Sequence, residues 1–394
     1  MSDLFLTGIG ELTTNTGSPI RDAVVAVEGG AITYAGAAND APGQTGERID
    51  CEGGAVLPGF VDAHTHLVFA GDRSDEFARR LAGESYADIA ASGGGILATV
   101  ASTRTAGEEE LFSLAAARVW RMIRSGTTTV EIKSGYGLDT ETELRLLAVA
   151  CRIGQELPVT VKTTFLGGHS VPPEYRHDRE AYLDLLVEEM LPAAAPLSDY
   201  CDVFVEDGVF SVDEARRIFS RAAELGMGAR VHAEQLGRTG GALLAAEIGA
   251  VSADHLDFAD EEDAHALAAA GVAAVLVPGA SYTLRSRQAP GPMLAGAGCT
   301  VALATDCNPG TSYFESMVPI LSLGVVAMGL TVTQALAAAT VGGARSLGLD
   351  DRGTIEIGKP ADLIVLAAPS AGHLVYRPGA DLVRRTIKEG VPIA

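Results

Sequence analysis

The spacing of apolar residues changes period twice along this chain. Near the start, Val24-Val25-Ala26-Val27-Glu28 and Ala31-Ile32-Thr33-Tyr34-Ala35 flank Gly29-Gly30, which predicts two strands joined by a turn. Residues 1–56 keep this texture. It returns after residue 352, where a turn-rich stretch at 353–360 precedes strand patterns at 361–366 and 382–388. Between these ends, β-branched runs at residues 127–132, 159–165, 203–205, 229–232, 251–253, 273–277 and 300–303 predict strands. Segments of helical spacing at 140–156, 211–225 and 261–269 separate several of them. Gly93-Gly94-Gly95 and residues 290–292 predict loops.

Strand–helix alternation repeated about eight times predicts an α/β fold built on a (β/α)8 TIM-like barrel. A doubly wound parallel sheet is the alternative. The expected division is a barrel domain over residues 57–352 and a small composite β-sandwich domain, discontinuous in sequence, over residues 1–56 plus 353–394.

Composition narrows the function classes. With 47% apolar and 20% charged residues in a chain of 394, a large core is available and overall disorder is excluded. The formal charge of −22 disfavours nucleic-acid partners, because phosphate contacts need basic residues. It also means that an anionic substrate needs a local Arg to be recognised. The cysteines, Cys51, Cys151, Cys201, Cys299 and Cys307, are scattered and odd in number, which fits a reducing cytoplasm better than a disulfide framework. No leader pattern follows Met1. No uncharged apolar run is long enough and suitably flanked to span a bilayer; the stretch at residues 319–330 falls short of the ~20 residues a spanning helix needs, so no membrane partner is expected.

The strongest local signal is Pro58-Gly59-Phe60-Val61-Asp62-Ala63-His64-Thr65-His66. Strand period two puts His64 and His66 on one side, and two neutral imidazoles make a natural half-site for a divalent metal. A bare pair of alternating histidines is more often structural, so the reading needs support from elsewhere. Arg230-Val231-His232, Val251-Ser252-Ala253-Asp254-His255 and Val301-Ala302-Leu303-Ala304-Thr305-Asp306 supply it. Each ends a predicted strand in a His or Asp, and barrel chemistry collects at the C-terminal ends of strands.

In this arrangement the chain resembles the amidohydrolase superfamily, with HxH after the first barrel strand, His after the fifth and sixth, and Asp after the eighth. Further motifs carry the likeness over nearly the whole chain: Leu67-Val68-Phe69-Ala70-Gly71-Asp72-Arg73, Gly93-Gly94-Gly95-Ile96, Glu131-Ile132-Lys133-Ser134-Gly135-Tyr136-Gly137-Leu138, Thr164-Phe165-Leu166-Gly167-Gly168-His169 and Asp306-Cys307-Asn308-Pro309-Gly310-Thr311. The resemblance implies that His64, His66, His232 and Asp306 hold one Zn²⁺ or Fe ion per subunit. It implies substrate contacts from Arg73, Tyr136, His169, Gln235, Asn308, Gly310 and Thr311, and catalytic roles for His255 and Asp306. Some members carry Glu where this chain has Gln235, so that position binds or orients here and cannot act as a base. Glu234 is expected to point elsewhere. Lys162 lies early in its strand, not at the end, which favours a single metal.

The implied reaction is hydrolysis of the ring amide C–N bond of 4-imidazolone-5-propanoate to N-formimidoyl-L-glutamate, with Arg73 pairing the carboxylate. Another amidohydrolase activity, on a different cyclic amide or a nucleobase amine, is the first alternative. A non-catalytic metal-binding barrel is the second. The resemblance also implies a homodimer. His177, His265 and His373 sit in polar or helical contexts and read as ordinary surface residues, and Cys307 reads as packing.

Overall fold

In the computed structural model, residues 3–43, 46–84 and 93–394 are described. Two eight-stranded sheets organise them. The first combines both ends of the chain: β1 (Leu4–Leu12), β2 (Ile20–Glu28), β3 (Ala31–Ala37), β4 (Glu47–Asp50), β5 (Ala55–Pro58), and later β14 (Leu363–Leu366), β15 (Val383–Lys388) and β16 (Val391–Pro392). Its order is β16-β15-β14-β5-β1-β2-β3, with β4 also on β1. Strand β5 joins the two ends, running parallel to β1 and antiparallel to β14. Leu4, Leu6, Val25, Val27, Val56, Leu363 and Val365 form its core.

The second sheet is all parallel and follows chain order: β6 (Phe60–Asp62), β7 (Thr127–Lys133), β8 (Thr160–Gly168), β9 (Tyr200–Val205), β10 (Gly228–Ala233), β11 (Ser252–His255), β12 (Ala273–Leu276) and β13 (Val301–Leu303). The ends of the series meet beyond the strands proper. Asp306 N donates to His64 O at 2.9 Å, and Thr65 pairs with Cys307 in an isolated parallel bridge. Asp62 accepts from Thr305 N at 3.0 Å and from Thr305 Oγ1 at 2.6 Å. The series therefore closes into a barrel. The seam lies beside the residues that end β6 and β13, so closure itself brings His64 and His66 near Asp306.

Several helices are capped by a side chain at their N-termini. Asp139 accepts from Thr142 N at the start of helix Thr140–Glu156. Reciprocal capping boxes open helices Val212–Glu224 (Ser211 with Glu214) and Glu261–Ala270 (Asp260 with Asp263). The loop expected at residues 290–292 is instead the first turn of helix Gly291–Ala297. Pro292 suits that turn because its missing N–H has no partner to lose there.

Gly59 links the two sheets. A Cβ on it would overlap the Thr128 side chain, 2.9 Å from its Cβ, so only glycine lets β5 pass into β6 so close to β7. Every residue of β7 is buried. Glu131 and Lys133, alternate residues near its C-terminal end, are charged and meet others from neighbouring strands. Lys133 Nζ lies 2.9 Å from Glu131, 2.8 Å from Asp202 and 3.5 Å from Asp254, and all four side chains are fully buried. Arg230 adds a second cation, 3.2 Å from Asp254, and donates to the carbonyls of Ala63 and Ser346 at 2.8 Å each. This network forms part of the barrel interior.

Candidate metal centre and active site

His64 and His66 follow β6, His232 lies on β10 and Asp306 follows β13. Their tips converge. His64 Nε2 is 3.2 Å from His66 Nε2, and His66 Nε2 is 3.4 Å from His232 Nε2. Asp306 Oδ1 is 3.6 Å from His64 Nε2 and 3.4 Å from His66 Nε2. Two overlapping groups among the described residues have the spacing to hold an ion: His64, His66 and Asp306, and His64, His232 and His255.

The outer nitrogens decide what the inner ones can do. His64 Nδ1 faces Asp254 Oδ2 at 2.7 Å, and His232 Nδ1 faces Asp202 Oδ1 at 3.0 Å. A carboxylate acceptor fixes the proton on Nδ1 and leaves Nε2 as a bare lone pair aimed inward. Burial, and then neighbouring positive groups, hold His64 and His66 well below the ordinary imidazole pKa, so the donors are neutral. Burial pushes the Asp306 carboxyl well above its usual range. The lone pairs of His64 Nε2, His66 Nε2 and Asp306 Oδ1, 3.2–3.6 Å apart, repel unless a cation or proton lies between them. The donor set of three imidazole nitrogens and one carboxylate oxygen suits a divalent transition metal.

Backbone strain marks the same place. His255 (φ 75°) and Asp306 (φ 50°) are non-glycine residues in the left-handed region, each at the end of a barrel strand. His255 packs with its ring centroid 5.2 Å from that of His64 and 5.1 Å from that of His232. Its Nδ1 is buried with no hydrogen-bond partner.

Beside these residues lies a cavity of about 460 Å³. Arg73, Tyr136, His169, Gln235, His255, Asn308, Gly310 and Thr311 all contribute to its wall, as do His66, His232 and Asp306. The His169 ring stacks on His66 at 5.0 Å between centroids and 20° between planes, and its Nδ1 meets Gly135 O at 3.0 Å. Burial lowers its pKa to about 3. Gly135 (φ 105°) has no room for a Cβ, which would sit 2.9 Å from His169 Nδ1. The Tyr136 loop is held from below by Glu143, whose carboxylate accepts from the backbone N–H of Gly135, Gly137 and Leu138 at 2.7–2.8 Å.

Some expected residues are engaged with their own surroundings. The Asn308 side chain braces its turn, its Oδ1 accepting from Gly310 N and Thr311 N at 2.8 Å each. Arg73 offers Nε and Nη2 to Glu76, which also accepts from Gly95 N at 2.8 Å. Glu234 turns away from the cavity to accept from Thr239, Gly240 and Ala242 N–H groups at the start of helix Gly241–Ile248. Lys162 pairs with Asp199 at 2.5 Å. His177 and His265 are exposed, and His373 meets Ser370 at 2.8 Å. Cys307 is buried in an apolar cluster, and burial pushes its thiol well up.

The residues that sequence reasoning did not single out are Asp202, Asp254, Arg80, Glu76 and Glu143. One signal was available. Glu131 and Lys133 alternate on β7 as His64 and His66 do after β6, and Asp254 directly precedes His255, so charged residues recur at inward strand positions. Arg80 lines the cavity from helix Ser74–Leu81, and nothing in its local sequence distinguishes it from Arg79.

A parallel barrel with metal-donor groups at the C-terminal ends of its strands defines a class, and comparison with known proteins names it. The amidohydrolase family model matches residues 55–393, and the chain belongs to that family. Within it, the chain is 47% identical to the imidazolonepropionase of Symbiobacterium thermophilum, covering 98% of this chain and 96% of that one. It is likewise 47% identical to the imidazolonepropionase of Salinispora arenicola, covering 100% and 99%. Among solved structures, an adenosine deaminase from Xanthomonas campestris with bound zinc superposes with a TM-score of 0.73 at 22% identity, over 99% of this chain and 92% of that one. A 5-methylcytosine deaminase from Klebsiella pneumoniae gives 0.74 at 18%, over 99% and 97%. These two establish the fold alone.

Proposed function

We propose that this chain is a metal-dependent hydrolase that opens the ring amide of 4-imidazolone-5-propanoate to give N-formimidoyl-L-glutamate, the activity its 47%-identical relatives are named for. The observation that carries the reading is the convergence of three imidazole Nε2 atoms and one carboxylate oxygen beside a cavity with arginines in its wall.

His64, His66, His232 and Asp306 would hold one Zn²⁺ or Fe ion. Such a cation, when bound, acts as a Lewis acid that makes water a competent nucleophile near neutral pH. Asp306 takes a proton from the attacking water and returns it to the departing ring nitrogen. That transfer balances the reaction: one C–O bond forms, the ring C–N bond breaks, and the nitrogen leaves protonated. Neutral His255 hydrogen-bonds the oxygen that gains charge. His169 and Tyr136 grip the ring, and Gln235 orients it. Asn308 supports this by shaping the turn that carries Gly310 and Thr311. The substrate's carboxylate enters a cavity whose arginines supply the local positive charge that a chain of net charge −22 lacks.

Residues 1–56 with 353–394, and 57–352, are proposed as the two domains, and a cytoplasmic homodimer without nucleic-acid or membrane partners as the working state. No described helix is long and apolar enough to cross a membrane.

The test is turnover by the metal-loaded protein, with N-formimidoyl-L-glutamate identified by mass spectrometry. Hydrolysis of the imidazolone, lost on His232→Ala, is expected. Deamination of cytosine or guanine with no action on the imidazolone would overturn the assignment.

A further inference from the structure

The segment Gly135–Leu138 lies between β7 and helix Thr140–Glu156 and brings Tyr136 into the cavity wall. Its backbone leaves the common regions at both ends. Gly135 has φ 105°, and Leu138 holds a left-handed φ of 56° although it carries a Cβ. Such a conformation persists only where the surroundings over-determine it. Two side chains do so here. Glu143, fully buried in the first turn of the helix, accepts from Gly135 N with one carboxylate oxygen and from Gly137 N and Leu138 N with the other. Arg104, on helix Ile96–Thr105, donates to Gly137 O at 2.7 Å and to Leu138 O at 3.2 Å. Acceptance on both oxygens is the pattern of an ionised carboxylate, and charge-assisted bonds of this kind are the stronger ones.

The clamp reaches beyond Tyr136. Gly135 O meets His169 Nδ1 at 3.0 Å. A carbonyl only accepts, so the neutral ring carries its proton on Nδ1 and keeps a lone pair on Nε2. The N–H that Glu143 holds at 2.8 Å belongs to the same glycine. The carboxylate sets the place of the carbonyl, and the carbonyl sets the tautomer of the ring. Resting on the function proposed above, we infer that Glu143 is a positioning residue for the substrate ring: through the Gly135–Leu138 backbone it places the Tyr136 side chain and fixes which His169 nitrogen is protonated. Tyr136 and His169, with ring centroids 5.4 Å apart, are thereby held as one unit by a side chain that does not itself line the cavity.

The experiment compares the parent chain with Glu143→Gln, His169→Gln and the double variant, each loaded with Zn²⁺. Glutamine keeps the size of Glu143 but turns an NH₂ donor toward N–H donors. Glu143→Gln is expected to lower kcat/KM for 4-imidazolone-5-propanoate by about 10- to 100-fold, the scale of a misplacement of ~1 Å. In the His169→Gln background the same change should cost at least about threefold less, because the two residues act as a unit. Zinc affinity in a chelator titration should stay within about threefold of the parent. The ¹⁵N shifts of the His169 ring, assigned by the signals missing from His169→Gln, are read without substrate. They should be well separated in the parent and move toward each other in Glu143→Gln as the two tautomers mix. An unchanged kcat/KM, an equal loss in both backgrounds, or unmoved His169 shifts overturns the inference. So does a parallel fall in zinc affinity, which would mark a general loss of structure. If Glu143→Gln does not fold, Glu143→Asp keeps the charge, shortens the reach and is read by the same measurements, with the same pattern expected at smaller size. A parent chain that opens no imidazolone removes the proposed function, and the His169 shifts alone then decide whether Glu143 sets the loop.

Discussion

Lys133 is the sharpest place to test what holds the barrel interior together. Its ammonium meets Glu131, Asp202 and Asp254 within 3.5 Å, and none of these side chains reaches solvent. Burial works to lower its pKa, but Asp202 and Glu131 prevail and hold it above its ordinary value, so the group is charged. Lys133→Met keeps the length of the side chain and deletes the charge. Arg230 then faces three buried carboxylates alone. Leaving a buried charge uncompensated costs about 3–5 kcal/mol. For a chain of 394 residues the melting temperature moves by about 1 °C per kcal/mol, so a fall of about 3–5 °C is expected. Lys162→Met is the control. Lys162 pairs with Asp199 at 2.5 Å, but both side chains are about a third exposed. Solvent screening limits such a pair to about 0–1 kcal/mol, a shift of 1 °C or less. Thermal melts of both variants, metal-depleted and followed by circular dichroism, make the comparison. Equal shifts of 1 °C or less would refute the claim that burial makes the Lys133 network strong.

Three other perturbations separate the roles of the surrounding residues. Asp254→Ala removes the acceptor that fixes the His64 tautomer at 2.7 Å, and metal affinity should weaken by about 10- to 100-fold in a competitive chelator titration; an unaltered affinity would mean that His64 orients without it. Gly310→Ala drives a methyl group into the Arg73 guanidinium, and steady-state kinetics should give a KM raised by roughly 10-fold, since forced overpacking costs about 1–3 kcal/mol; an unmoved KM would show that the turn yields freely. Burial pushes the Asp257 carboxyl up to about 7, against the hydrogen bond donated by Ser281 Oγ at 2.7 Å. Its folded pKa lies above the unfolded value of about 3.9, so its stabilising contribution is complete below that value and is lost as pH rises through about 7. Asp257→Asn should therefore gain stability relative to the parent between pH 5 and pH 8, and an identical difference in melting temperature at the two pH values would contradict the shift.

The order of elements was legible because it is written in local chemistry. The spacing of Leu146, Leu147, Val149, Ala150 and Ile153, capped by Asp139, specifies a helix over Thr140–Glu156 whatever surrounds it. Residues 127–132 anticipate β7, which runs Thr127–Lys133, because β-branched runs have few other stable uses. His64, His66, His232, His255 and Asp306 could be read as one set because strand ends in a parallel barrel share one mouth. What no local pattern contains is distance across the fold. Asp202 and Asp254 look like ordinary strand residues until the register sets Asp202 against His232 and Asp254 against His64. Arg73 and Arg80 carry the same charge, one at the N-cap of helix Ser74–Leu81 and the other two turns along it. Only the folded positions of Glu76 and Gly310 decide that Arg73 grips a carboxylate while Arg80 reaches a backbone carbonyl, because burial and pairing belong to the tertiary structure and not to the residue.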